Sequence, residues 1–420
     1  MQQTSNSNKY LKYGLIIGVL LLILFVYQIK FSNPILKNNK TSADYLMNDQ
    51  SQQQHHFQNI TDNNNQLNGT LATTCDCPTT FSNVSFVQHG EKSPIFVPED
   101  LSVMQPDIFD KINLNKYSDH SLLVTVAGYG MRYELYNWIH YMQAAKEKKF
   151  VVFCTDAKLY LHLIVAGHEE RVALIPEDWY VNDLDLFRNT KLSMLDHPRL
   201  SHVKTWVLQR LVYSDTPVNA LMLDVNQIMV HRRTREYIQT LLHIRGDTQI
   251  IATQDGLDQH TINTGLILIR NNANIAKRVL ANTIQIQEKQ PSLNQQEAFN
   301  QALDQMELHV KTGMTVLLDI IHFPNGLNYF ENNLPGSKGI EPYIIHANHK
   351  FGQKRRDVLK EHGFWKVSED YIDGISRQVD DILKRTNQLQ QPQEEEEQVE
   401  IQQAEAEAEA ENPENEEAPQ

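Results

Sequence analysis

The chain has 420 residues, 41% of them hydrophobic and 21% charged, with a formal net charge of −14. That length suits one large α/β domain with appendages or two average domains. Twelve glutamates between Gln388 and Gln420, where no Lys or Arg occurs, carry most of the charge and leave −2 on the rest; no basic field remains for nucleic acid, and three cysteines do not make a disulfide scaffold.

Near the N-terminus, Tyr13 to Tyr27 is uncharged and almost wholly apolar, with Lys9 and Lys12 before it. A span needs roughly 20 residues; Ile29 and Phe31 extend this one, and Lys30 can snorkel. No small-x-small site follows closely, so a signal-anchor over 13–31 behind a cytosolic tail at 1–12 is favoured over a cleaved signal peptide. Asn-x-Ser/Thr occurs at Asn39, Asn59, Asn68 and Asn83 and nowhere after Ser85, the pattern of a glycosylated lumenal stem. Residues 32–118 are rich in Asn, Gln, Ser and Thr without sustained apolar periodicity, and are expected to form a disordered stem. This layout describes a single-pass type II protein of the Golgi membrane, or of the endoplasmic reticulum, whose thinner bilayer suits a short span.

The folded domain is expected over 119–370. Ser121 to Ala127 is a short apolar, β-branched run ending at Gly128-Tyr129-Gly130, and a helical pattern follows with Leu135, Trp138, Ile139 and Met142 on one face. Further strands are expected at Phe150 to Cys154, Arg171 to Ile175 and Ala220 to Leu223, with helices after Asp156 and at Leu200 to Val212. Continuous apolar strands separated by helices indicate a mostly parallel α/β sheet covered on both faces; Cys154 reads as a small core residue within it. Gln249 to Thr253 and Asn263 to Arg270 are the next strands, then two helices within Ala273 to Leu303. Short strands are expected at His309 to Lys311, Val316 to Leu318 and Tyr343 to His346. Residues 371–420 read as a linker and an acidic disordered tail.

Parallel sheets bind ligands at the carboxyl ends of their strands, which points to Ala127 to Gly130, Thr155-Asp156 and Asp224 to Asn226. The apolar strand Leu221 to Leu223 runs into Asp224-Val225-Asn226, and strand alternation would aim Asp224 and Asn226 the same way, with Val225 in the core. A carboxylate at a strand end can hold a divalent cation that bridges diphosphate oxygens. Taken singly, such an Asp is more often a turn or helix cap.

The order of motifs narrows the choice. Asn137-Trp138, Lys204-Thr205-Trp206, Asp224-Val225-Asn226, Asn263-Thr264-Gly265, Gln295-Gln296-Glu297-Ala298-Phe299-Asn300 and His346-Ala347-Asn348 with Gly352, Lys354 and Trp365 follow one another. This series, over about Leu122 to Trp365, resembles the nucleotide-diphospho-sugar transferase family, which includes plant arabinosyl- and xylosyltransferases and related galactosyltransferases. The resemblance implies a GT-A-like fold and retaining transfer from a nucleotide-sugar, a UDP-sugar by preference, to a hydroxyl of a glycan or glycoprotein. It implies Asp224, Asn226 and His346 as ligands of Mn²⁺ or Mg²⁺, with Asp224 also meeting the donor's ribose and Lys204 assisting the donor. Asn263, Thr264 and Gly265 are then the strand facing the transferred sugar, and Gly128 and Tyr129 part of the loop that takes the nucleotide base.

Two departures define a second reading. Asn226 replaces the motif's second acid, which lowers affinity for a hard cation, and Gln295 stands where the family usually has Asp. Glu297, Asp255 and Asp258 are the nearby carboxylates that could substitute. The alternative to an active enzyme is a catalytically degenerate member that binds nucleotide, glycan or a partner. A homo- or hetero-oligomer is open to either.

Overall fold

The computed structural model describes residues 104–180, 198–214, 216–256, 260–308 and 313–386. The expected anchor, the sequons, Asp258, the strand at 309–311 and the acidic tail from 387 lie outside these residues. Among the described residues no helix is long and apolar enough to cross a membrane.

The chain enters through α1 (Pro106–Asn115), whose Pro sits in the first turn and whose Ile108 and Ile112 are fully buried. Pro is tolerated there because the first-turn N–H has no helical partner. β1 (Ser121–Ala127), α2 (Arg132–Ala144), β2 (Val151–Cys154), α3 (Ala157–Val165) and β3 (Val172–Leu174) follow as alternating units. Next come α4 (His202–Tyr213), β4 (Asn219–Leu223), β5 (Gln227–Met229) and α5 (Thr234–Ile244). β6 (Ile250–Gln254), β7 (Ile262–Ile269), α6 (Asn274–Lys289), α7 (Gln295–Gln305), β8 (Thr315–Leu318), β9 (Ile344–His346) and α8 (Gly352–Glu361) complete the domain, with a last helix, α9, over residues 369–386.

Seven strands form one sheet in the order β3-β2-β1-β4-β7-β6-β8. β1 to β4 run parallel, β6 and β8 are parallel to each other, and β7 is antiparallel to both of its neighbours. Every residue of β1 and β7 is buried, as expected of largely apolar strands covered on both faces, with Ser121, Thr125, Asn263 and Thr264 as their buried polar members. α1 and α3 lie against the β1–β3 side, α4 against β4 and α7 against β7. Cys154 is fully buried in β2, where burial pushes its thiol pKa well up. The mixed α/β architecture with a mostly parallel sheet is therefore the one the sequence implies.

Two boundaries differ from the sequence expectation. α1 lies inside the stretch read as disordered stem, and the ordered chain continues past 370 into α9. Ile372, Ile375 and Val379 of α9 are buried on one helical face, an i, i+3, i+7 spacing that marks an amphipathic helix. Its polar contacts are specific. Lys158 Nζ pairs with Asp380 at 2.7 Å and Lys360 Nζ with Glu369 at 2.8 Å, while Tyr133 donates to Asp373. The His162 ring bridges Tyr136 Oη at 3.0 Å and Ser376 Oγ at 3.1 Å.

His162 makes the domain acid-sensitive. Burial, with Arg132 and Lys158 acting in the same direction, lowers its pKa from 6.5 to about 4. Above pH 6.5 both folded and unfolded forms are neutral; below it the unfolded ring takes a proton that the folded ring refuses until about pH 4. Stability is therefore lost as pH falls through that window, by roughly 3 kcal/mol from this group at the acid end. Melting temperature followed from pH 7 to pH 4.5 should drop, and His162→Gln should flatten the slope.

Candidate functional site

The site forms where the seven-stranded sheet hands over to a two-stranded ribbon. β4 ends at Leu223, and Asp224 to Gln227 makes a tight turn closed by Gln227 N–H donating to the Asp224 carbonyl at 3.1 Å. The chain then pairs as β5 with β9, antiparallel, with Gln227 opposite His346. The ribbon thereby carries His346 across to Asp224, 122 residues earlier in the chain. Asp224 and Asn226 are together because of this turn; β4 itself ends at Leu223, and Val225 is buried in the core as expected, bordering the cleft.

The Asp224 carboxylate is held from two sides. Lys204 Nζ, from the first turn of α4, donates to Oδ1 at 2.8 Å, and His346 Nε2 lies 3.8 Å from Oδ2. Asp224 N–H donates to the Gly265 carbonyl at 2.8 Å, which continues the β4–β7 pairing one step past the strand. Burial lowers the His346 pKa to about 4; Lys204 and Arg355 act the same way, and Asp224 and Asp255 oppose them. The ring is therefore neutral near pH 7 and keeps a lone pair. Asn226 donates Nδ2 to the Ala347 carbonyl at 3.4 Å, and its Oδ1 is buried with no partner.

A second polar group comes from a bulge in β7. Ala252 of β6 faces Ile267, yet Thr253 faces Asn263, so extra β7 residues are displaced at this point. Bulges commonly re-aim side chains beside functional sites, and here the residues displaced from the β6 register are Thr264, Gly265 and Leu266, directly after Asn263. Asn263 donates Nδ2 to Asp255 Oδ1 at 3.1 Å, and Gln296 donates Nε2 to Asp255 Oδ2 at 2.9 Å. Thr264 Oγ donates to Gln295 Oε1 at 2.5 Å. Gly265 sits directly under the imidazole: a Cβ there would lie 2.2 Å from His346 Cε1. Asn300 fixes the start of β7 by bonding both backbone groups of Ile262 at 2.8 Å.

These groups line one cleft of about 320 Å³. Of the residues singled out from sequence, Lys204, Asp224, Asn226, Asn263, Thr264, Gly265 and His346 line it together; Gly128 and Tyr129 do not. The first loop reaches the cleft through Val126 and Met131 instead. Tyr129 N–H is occupied by Asp156 Oδ2 at 2.7 Å, and its ring by the Arg132 and Lys158 cations at 4.5 and 4.3 Å. Gly128 is there for fit: a Cβ would come within 2.7 Å of Thr155 Oγ1. Of the possible substitute carboxylates, Glu297 is spent in a capping box with Asn294 at the start of α7, whereas Asp255 faces the cleft. Asn348, named with the His346 motif, also lines it; Ser201, Phe351 and Arg355 line it too and were missed, because only long-range packing brings them there.

The cation question turns on Asn226. Among the described residues no group of three or more His, Cys, Asp or Glu side chains is placed to hold a metal. Asp224 and His346 supply two such donors, and the third position is the Asn226 amide, whose unpartnered buried Oδ1 is the kind of atom a cation or a ligand group satisfies. That set fits a divalent ion whose remaining ligands come from a diphosphate.

No protein-family model matches the chain. A stretch of 58 residues is 41% identical to the UDP-galactose:fucoside alpha-3-galactosyltransferase of Dictyostelium discoideum. That match covers 14% of this chain and only 9% of that protein. Among solved structures, the glycosyltransferase GlyE of Streptococcus pneumoniae TIGR4 is similar at 13% identity and a TM-score of 0.37, over 62% of this chain and 64% of that one. The galactosyltransferase LgtC, in complex with donor and acceptor sugar analogs, is similar at 14% identity and a TM-score of 0.38, over 60% and 99%. The bifunctional glycosyltransferase WbbM is similar at 9% identity and a TM-score of 0.40, over 62% and 52%.

Proposed function

We propose that this chain is a GT-A-type glycosyltransferase that moves a sugar from a UDP-sugar to a hydroxyl of a glycan or glycoprotein. The observation that carries the reading is the convergence of Lys204, the Asp224–Asn226 turn and His346 at one strand-end cleft from three separate parts of the chain. The 58-residue match to a UDP-galactose-dependent enzyme supports the donor class. Retention at the anomeric carbon comes from the resemblance alone. The apolar segment at 13–31 and the four sequons after it support a type II placement in Golgi or endoplasmic reticulum membranes.

In this reading the chain works by neutralising and positioning a leaving diphosphate. Asp224 Oδ2, His346 Nε2 and Asn226 Oδ1 would hold Mn²⁺ or Mg²⁺, which when bound supplies positive charge to the diphosphate oxygens. Lys204 holds Asp224 in place by its 2.8 Å bond and adds a fixed cation at the cleft wall. Asp255, braced by Asn263 and Gln296, offers the sugar subsite a charged acceptor. Gln295 and Thr264 give it a neutral floor where the family usually has an acid.

Activity is tested by incubating the full-length chain with a panel of UDP-sugars and Mn²⁺ and following UDP release and transfer. UDP release from at least one donor is expected; none across the panel would sink the catalytic reading in favour of a degenerate binding protein. Asn226→Asp completes a carboxylate pair and should tighten Mn²⁺-dependent UDP binding by about tenfold. Unchanged Mn²⁺ dependence in that variant would show that position 226 holds no metal.

A further inference from the structure

Several large apolar side chains are exposed among the described residues: Phe109, Leu114, Leu174, Ile244, Leu327, Phe351 and Tyr371. Of these only Phe351 lines the cleft, with 58% of its surface open to solvent. A lone exposed apolar residue ordinarily needs no explanation. Phe351 differs because the segment leading to it is braced and the Arg355 guanidinium lies 5.7 Å from its ring centroid. Ala347 N–H donates to the Asn226 carbonyl at 3.0 Å, and His346 N–H to the Pro324 carbonyl at 2.9 Å. Arg355 Nε donates to the Ala347 carbonyl at 3.0 Å, and Gly326 N–H to Asn348 Oδ1 at 2.8 Å. Gly326 is pressed so close that a Cβ there would lie 2.3 Å from the Asn348 carbonyl oxygen. His349 takes a left-handed backbone, φ 63°, within the same loop, a conformation that persists in a non-glycine residue only where its surroundings impose it.

We infer that Phe351 is the stacking platform for the acceptor, and that the acceptor is a saccharide recognised through the C–H face of a pyranose ring. The inference rests on the transferase reading above. A pyranose presents a row of C–H groups on one face, and these are attracted to the electron-rich face of an aromatic ring. Phe has no polar group of its own, so it selects the face of a sugar ring and not a single hydroxyl. Asn348, His349 and Gln296 line the same cleft and offer the polar contacts a saccharide's hydroxyls need. The loop that carries Phe351 is the one that positions His346, so the platform is fixed relative to the proposed donor site. A peptide serine or threonine has no such apolar face to stack.

The test uses the full-length chain and a panel of pyranosides and short oligosaccharides, with saturation-transfer NMR for binding and acceptor KM for transfer. Wild type should bind at least one saccharide. Phe351→Ala should weaken that binding and raise acceptor KM by about tenfold, the scale of one aromatic contact. Phe351→Tyr and Phe351→Trp should restore both, and UDP-induced thermal stabilisation should be the same in all four proteins. The inference is overturned if wild type binds no saccharide, if Phe351→Ala binds as tightly, or if that variant loses UDP stabilisation in parallel, which would mean a collapsed loop. Transfer to a serine or threonine peptide that is indifferent to Phe351→Ala would overturn it too, while leaving the transferase reading intact. Saccharide binding that depends on Phe351 without any UDP-sugar turnover would do the reverse.

Discussion

Asp224→Asn should lower UDP-sugar turnover by about 10²- to 10³-fold, the cost of losing one preorganised charged group at a site of charge development. The substitution keeps the shape of the side chain and leaves Oδ1 able to accept from Lys204, so the fold should persist. What goes is the charge. Among the described residues, Asp224 is the carboxylate paired with both Lys204 and His346, and Asp255 bonds Asn263 and Gln296. Losing the charge at 224 leaves Lys204, with a side chain only 10% exposed, as an unneutralised cation; burying an unpaired charge is costly. Steady-state turnover together with a melting curve separates the two effects. A large loss of rate with a lowered melting temperature is expected, the fold persisting at assay temperature; full activity in Asp224→Asn would remove Asp224 from the site.

Gly265→Ala is the second change with a large expected effect, and it adds a single methyl. The new Cβ would lie 2.2 Å from His346 Cε1, 2.8 Å from its Nδ1 and 2.9 Å from Asn263 Oδ1. The imidazole is buried and paired through the β5–β9 ribbon, so it has little room to retreat. Overpacking of this kind costs about 1–3 kcal/mol, and a displacement near 1 Å at a positioned group can cost about a hundredfold in rate. A lowered melting temperature and loss of UDP-dependent stabilisation are the expected readings, by thermal shift with and without UDP and Mn²⁺. An alanine variant with wild-type stability and nucleotide response would mean that His346 is not held against β7.

How much of this was legible in the sequence varies by element. β1 was read to the residue because SLLVTVA is a short, mostly apolar and β-branched run bounded by polar residues and Gly128, and β7 within one residue because of its Leu266 to Ile269 run. α1 was missed because its apolar signal is two isoleucines four apart inside an Asn- and Gln-rich stretch. α9 was missed although Ile372, Ile375 and Val379 carry a helical spacing; the glutamate-rich composition just beyond drew the boundary too early. β9 was expected at Tyr343 to His346 and lies at Ile344–His346; β5, three residues long, is too short for any periodicity to show, yet its pairing with β9 brings His346 to Asp224.

The candidate site shows the same division. Seven named residues fall in one cleft, since local motifs mark strand ends and turns well. The geometry that joins them was not legible. The turn at Asp224 to Gln227 begins where β4 ends, and the β7 bulge directly after Asn263 depends on pairing with β6. Gly128 and Tyr129 were placed at the site by resemblance; neither lines this cleft, and the Tyr129 N–H is held by Asp156 while Arg132 and Lys158 lie over its ring. Arg355 and Phe351 are ordinary residues of a basic helix start until the fold sets them at the cleft wall.

Calorimetric titration of UDP into the full-length chain, with and without Mn²⁺, in wild type and Asp224→Asn, tests the assignment of this cleft most directly. UDP binding that strengthens with Mn²⁺ in wild type and loses that dependence in Asp224→Asn is the expected result. UDP binding that is absent in wild type, or equal in both proteins with and without Mn²⁺, would contradict it.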